Sequence, residues 1–192
     1  MLNKFLKRRK TLFENRKFAG KKALGSLLSA LFYLGVVAVV FWWQTRDMLS
    51  TEEKAPMMSF TLIDVNGRPY QYQFNNGEKD TLIYFFAPWC TICHLSIENT
   101  ETVREANSDS LNTIIVALDW KNLQEVDAFL AEHHLNSPVV LGTNQIQQQF
   151  KISAFPSYYF IDRNGFVKAK SKGYTTSLGM RAAVEINTKK GD

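Results

Sequence analysis

Cys90 and Cys93 are the two cysteines of this 192-residue chain, and two residues separate them. Thiols this close can interconvert between dithiol and disulfide. As a plain staple the pair would do little, because a four-residue loop removes only about 2 kcal/mol of chain entropy. The context points to chemistry instead. The run Thr81-Leu82-Ile83-Tyr84-Phe85-Phe86 reads as a buried strand, Pro88 stops it, and a stretch rich in helix formers begins at Cys90. Unpaired N–H groups and the dipole at a helix start favour an anion, so a cysteine there ionises below the free-thiol value of about 8.5. Cys90, on the first turn, is expected to be exposed and to attack. Cys93, one turn further in, is expected to be shielded and to resolve a mixed disulfide. Trp89 and Pro88 would form an apolar lip around the Cys90 sulfur. Two cysteines exclude an all-cysteine zinc site, and three histidines, two of them the neighbours His133 and His134, lead us to expect no metal site. Cys90-Thr91-Ile92-Cys93-His94 also spells a haem-attachment sequence with His94 as axial ligand, which would make the domain an electron carrier. The α/β pattern around it argues against the apolar wrapping that a haem needs.

The elements that must position these residues follow from the apolar pattern. Phe60-Thr61-Leu62-Ile63 is a strand candidate followed by the turn Asn66-Gly67, and Tyr70, Tyr72 and Phe74 alternate with polar residues as on a half-buried strand. Asn75-Asn76-Gly77 turns the chain. One helix is expected from about Cys90 to Ala106, a buried strand over Thr113–Leu118, and a helix carrying Leu123, Val126, Phe129 and Leu130. A short strand Val139-Val140-Leu141 and a short helix with Ile146 and Phe150 follow. Ser157–Ile161 and Phe166–Lys170 form a hairpin around Asp162-Arg163-Asn164-Gly165. Leu178, Ala182 and Ile186 share one face of a last helix. Helices alternating with apolar strands predict an α/β domain with helices on both sides of a central sheet.

The first 25 residues hold nine Lys/Arg and one acid (Glu14), a net +8, so the +5 of the whole chain leaves the remainder at −3. The basic character belongs to a tail, and nucleic-acid binding is not expected of the domain. Between Lys22 and Arg46 no charged residue occurs, which is long enough for a helix to cross a hydrocarbon core. No small-x-small cleavage pattern follows this segment, so we expect an uncleaved anchor. Lysines and arginines crowd before it and Arg46 stands alone just after it, which keeps the N-terminus cytoplasmic and exports the rest; the tail can also meet anionic membrane lipid. The expected organisation is a basic tail over 1–22, a transmembrane helix over 23–45, a linker over 46–55 and a folded domain over 56–188.

The segment Tyr84-Phe85-Phe86-Ala87-Pro88-Trp89-Cys90-Thr91-Ile92-Cys93 resembles the active-site segment of thioredoxin-fold proteins, most of all the membrane-anchored TlpA/ResA/CcmG-like and ScsD-like oxidoreductases of bacteria. Ala154-Phe155-Pro156-Ser157-Tyr158-Tyr159-Phe160-Ile161-Asp162 resembles the cis-proline segment of that family, Asn164-Gly165-Phe166-Val167 the hairpin after it, and Ala55–Phe60 with Asn66-Gly67 the start of such domains. The resemblance covers roughly residues 55–187. It implies a central mixed sheet flanked by helices, behind one N-terminal transmembrane helix in the bacterial inner membrane, with the domain in the periplasm. It implies Cys90 as nucleophile, Cys93 as resolving thiol, and Trp89, Phe155 and a cis Pro156 as substrate-binding residues, with the Phe155 backbone pairing with a substrate strand. It implies no cofactor beyond the redox-active disulfide. The expected activity is that of a protein-disulfide reductase, re-reduced by a membrane electron transporter of the DsbD/CcdA type; an oxidant or isomerase of the same fold is the alternative. Protein thiols and disulfides are the expected partners, with apocytochrome c and oxidatively damaged proteins both compatible. One departure stands out: Tyr84 occupies the position where thioredoxins carry a buried carboxylate. His94, Glu98 and Asp119 are therefore the candidates for a proton relay to Cys93.

Overall fold

The apolar runs become strands, and helices from the segments between them pack on both faces of one sheet. The computed structural model describes residues 28–56, 59–74 and 78–188. The basic tail, the first residues of the apolar segment and the turn at Asn75-Asn76-Gly77 lie outside the described residues. Helix α1 (Leu28–Thr45) has a mean hydropathy of 1.6 and is, among the described residues, the one helix long and apolar enough to cross a membrane. Its 18 residues span about 27 Å at 1.5 Å per residue. The described residues divide into two separate compact units, one up to Gln44 and one from Thr45 onward.

In the second unit seven strands make one mixed sheet: β1 (Ser59–Asp64), β2 (Pro69–Gln73), β3 (Asp80–Phe86), β4 (Leu111–Ala117), β5 (Val139–Leu141), β6 (Ser157–Ile161) and β7 (Val167–Lys172). Their order is β2-β1-β5-β4-β3-β6-β7. The pairs β3–β4 and β4–β5 are parallel, and every other neighbouring pair is antiparallel. Five helices accompany the sheet: α2 (Thr91–Ser96), α3 (Glu98–Ala106), α4 (Leu123–Ala131), α5 (Asn144–Gln149) and α6 (Ser177–Thr188). This is the thioredoxin-like architecture that the sequence led us to expect. Both hairpins turn on a glycine with positive φ, Gly67 at 78° and Gly165 at 85°, a region where a Cβ is unfavourable.

Strand β3 lies at the centre and every one of its residues is buried. Its side chains alternate between two cores. Ile83 and Phe85 join Phe74, Val116, Phe150 and Tyr159 on one face, whereas Leu82, Tyr84 and Phe86 join both cysteines, Ile97, Phe129 and Met180 on the other. The near-continuous apolar run of β3 is what a strand covered on both faces requires.

Two features depart from the expectations. The single helix over Cys90–Ala106 is two, broken at Ile97. Side-chain hydroxyls compete for carbonyls there: Ser96 Oγ donates to Ile92 O (2.9 Å) and Thr100 Oγ1 to Ile97 O (2.6 Å), while the Thr100 N–H bonds Ile97 O in a three-residue step (3.0 Å). Such competing bonds bend helices. The stretch 46–55, expected as a linker, packs onto the domain. Met48, Leu49 and Ala55 are buried, and the Leu49 N–H donates to the Tyr159 hydroxyl (3.1 Å), which in turn donates to Phe150 O (2.7 Å). Asp47 meets Lys172 Nζ with both oxygens (2.8 and 2.9 Å) and accepts from the Ser153 hydroxyl (2.6 Å). These bonds, that to Lys172 foremost, hold its carboxyl down to about 2. As expected, Leu178, Ala182 and Ile186 share one face of α6, and it is the outer face. The core face is Met180 with Val184, which is also an i, i+4 pair.

Candidate active site

The active-site segment is the exit from β3. Ala87 O accepts from the Cys90 N–H (3.0 Å), closing a turn that brings Cys90 to the start of α2. Cys90 is the N-cap residue of that helix, in extended conformation (φ −83°, ψ 103°), and its Sγ accepts from the Cys93 N–H at 3.2 Å. A thiolate at this point would keep the same donor, and a charged acceptor strengthens such a bond. The two cysteines are joined as a disulfide. Cys90 is only 6% exposed, less open than expected, and Cys93 is sealed at 0%. The contrast between them nevertheless has the expected sense, because of the two residues only Cys90 keeps any exposed surface.

Around this pair Trp89 stands 60% exposed. Its indole N–H reaches both the Asp119 carboxylate (Oδ2, 3.1 Å) and the Asp119 carbonyl (3.1 Å). Its ring meets Phe155 edge to face at 5.9 Å. Phe155 is half-buried and precedes Pro156 through a cis peptide bond; Pro156 O is held by the Gly173 N–H (2.8 Å). The structure thus brings the Trp89 lip and the cis-proline loop together, although 66 positions separate Trp89 from Phe155 in the sequence. Ile92 and Leu95 add exposed apolar surface on the α2 side.

Beneath the cysteines lies Tyr84, fully buried in the same core as Cys93. Ser96 Oγ spends its hydrogen on Ile92 O, so the Tyr84 hydroxyl is the donor in their 2.8 Å bond. Burial pushes the phenol well above its ordinary value. Tyr84 therefore stays protonated and props α2 from below rather than taking a proton.

The three relay candidates are placed differently. Asp119 carries Trp89. His94 Nε2 faces Pro88 O (3.3 Å), and its Nδ1 lies 2.9 Å from His133 Nε2. Glu98 Oε1 lies 3.4 Å from His133 Nδ1 and accepts from the His134 N–H at 3.4 Å. Glu132, which the sequence did not single out, brings Oε2 to 3.3 Å from His94 Nδ1. The Phe129–His133 spacing marks one face of the α4 end, but nothing local announces that this face meets His94. Ser96 was missed too; it is legible only once Tyr84 is known to lie under it.

A disulfide between the helix-capping Cys90 and the sealed Cys93, with a cis-proline loop across the Trp89 lip, all on a thioredoxin fold, defines a thiol–disulfide oxidoreductase. The chain belongs to the Redoxin family, whose model matches residues 51–184. It is 22% identical over 166 residues to the thioredoxin-like protein YneN of Bacillus subtilis, covering 83% of this chain and 97% of that one. It is 29% identical over 100 residues to the thiol-disulfide oxidoreductase ResA of Oceanobacillus iheyensis, covering 51% of this chain and 52% of that one. Among solved structures, a thiol:disulfide interchange protein of the thioredoxin family from Chlorobium tepidum shares the fold with a TM-score of 0.61 at 22% identity, covering 71% of this chain and 98% of that one. StoA from Bacillus subtilis does so with a TM-score of 0.58 at 20% identity, covering 69% and 99%. The Redoxin match favours the thiol–disulfide reading of Cys90-Thr91-Ile92-Cys93 over the haem-attachment one.

Proposed function

We propose that this protein is a membrane-tethered reductase of protein disulfides, with Cys90 as nucleophile and Cys93 as resolving thiol. The observation that carries the assignment is the asymmetry of the pair: Cys90 caps α2 with marginal access to solvent, and Cys93 has none. In the reduced protein the Cys90 thiolate attacks one sulfur of a substrate disulfide, forming a mixed disulfide and releasing the other sulfur as a thiolate. The Cys93 thiolate then attacks Cys90 Sγ. The Cys90–Cys93 bond closes, the second substrate thiol leaves, and two electrons have passed to the substrate. Trp89, Phe155 and the cis Pro156 form the surface on which the substrate strand lies. Of the relay candidates, His94 and Glu98 contact His133 and Asp119 holds Trp89, and these three residues stay the candidates for taking the Cys93 proton.

The anchor is α1, behind a tail dense in Lys and Arg. The positive-inside bias supports a cytoplasmic N-terminus and a periplasmic domain in the bacterial inner membrane. The cycle leaves the protein oxidised, so a dithiol donor must restore it. For a tethered periplasmic domain that donor is a membrane electron transporter of the DsbD/CcdA type. Cys93→Ser removes the resolving step. In membranes carrying the full-length variant, disulfide-linked adducts of higher mass should accumulate and vanish on adding dithiothreitol. Their absence, or their persistence in a Cys90→Ser/Cys93→Ser double variant, would contradict the assignment.

A further inference from the structure

His94, on α2, and Glu132 with His133, at the C-terminal end of α4, each bring one ligand atom to within 4.8 Å of the others. His94 Nδ1 lies 2.9 Å from His133 Nε2 and 3.3 Å from Glu132 Oε2. Around a tetrahedral zinc ion with bonds of about 2.0–2.1 Å, neighbouring ligand atoms sit about 3.3 Å apart. The opposite nitrogen of each ring is already assigned. His94 Nε2 faces the Pro88 carbonyl, which can only accept, so that nitrogen carries hydrogen. His133 Nδ1 faces the Glu98 carboxylate, which calls for hydrogen there as well. Imidazoles that bind metal orient themselves in this way, donating the far N–H to a carboxylate or a backbone carbonyl.

With both far nitrogens protonated, two neutral rings turn bare lone pairs towards each other and towards the Glu132 carboxylate. An extra proton on one ring would satisfy the contact between the two nitrogens and leave Glu132 facing them. A divalent cation satisfies all three atoms together. We propose that His94, Glu132 and His133 form a binding site for a divalent transition-metal ion, with zinc as the reference ion for two imidazoles and a carboxylate. The Phe129 ring lies against both imidazoles, 4.3 Å from His94 and 4.7 Å from His133, and fixes their orientation. A surface groove of about 310 Å³ lined by His94, Glu132, Trp89 and Lys121 leaves an approach to the site and room for a further ligand. The bound ion ties α4 to α2, one residue beyond Cys93.

The test uses the full-length chain in detergent micelles, without a polyhistidine tag and with the disulfide formed, so that no thiol can bind the ion. Titration with Zn²⁺ should show one ion per chain. His133→Ala should lose it, and His134→Ala should retain it. Glu132→Gln, at an exposed position that cannot unfold the domain, should weaken binding by at least about tenfold, the lower end of what loss of even an outer-sphere partner costs. Failure to bind Zn²⁺, or wild-type affinity in Glu132→Gln or in folded His133→Ala, would overturn the proposal.

Discussion

Cys90→Ser is expected to reduce the rate of protein-disulfide reduction to the uncatalysed background while leaving the fold intact. The exchange needs a sulfur that forms and breaks S–S bonds, and a serine hydroxyl does neither. The substitution is gentle elsewhere. Cys90 is the N-cap of α2, its side chain accepts the Cys93 N–H, and serine is among the preferred residues for that position. The far-ultraviolet spectrum and the unfolding transition of the variant should therefore match those of the reduced wild-type chain. Turnover of insulin disulfides with dithiothreitol as donor measures the loss. Activity retained by Cys90→Ser would mean that the nucleophile lies elsewhere.

The largest expected effect on stability falls on Tyr84. It is fully buried at the centre of the sheet, in the core that holds both cysteines, and truncation to alanine leaves a cavity beneath α2. The cost of deleting a buried aromatic ring is about 3–5 kcal/mol. Tyr84→Phe keeps the ring and loses only the hydrogen bond to Ser96, which costs about 1 kcal/mol. Denaturant unfolding of the oxidised chain measures both. The two substitutions also separate support from proton transfer. Burial holds the phenol protonated, so Tyr84→Phe should leave the pH profile of exchange where it was. A shifted profile would show that the hydroxyl takes part.

The sequence made the axis of the site legible because its signals are local. The all-apolar run of β3, the proline that stops it and the cysteines at the helix start lie within 13 residues, Thr81–Cys93. The fold class followed from the alternation of strands and helices. What could not be read depends on contacts between distant segments. Met48 and Leu49 look like strays in a polar stretch until Tyr159 and Phe150 are placed next to them. Leu178 and Ile186 keep helical spacing as well as Met180 and Val184 do, and only the neighbouring α3 and β7 decide which face is inside. The break at Ile97 is written in Ser96 and Thr100, but hydroxyls within a helix bend it only where the packing lets them. His94 and His133 are 39 positions apart, and no spacing rule joins them.

The most direct test of the central claim is the reduction potential of the Cys90–Cys93 pair, measured on the full-length chain in micelles against a glutathione or dithiothreitol buffer. The residues between the cysteines, Thr91 and Ile92, bring neither a charge nor an imidazole to stabilise a thiolate, so the pair is not built as a strong oxidant. A reductase should give a value near that of thioredoxin, about −270 mV. A value near that of DsbA, about −120 mV, would mean that the protein inserts disulfides and that electrons flow the other way.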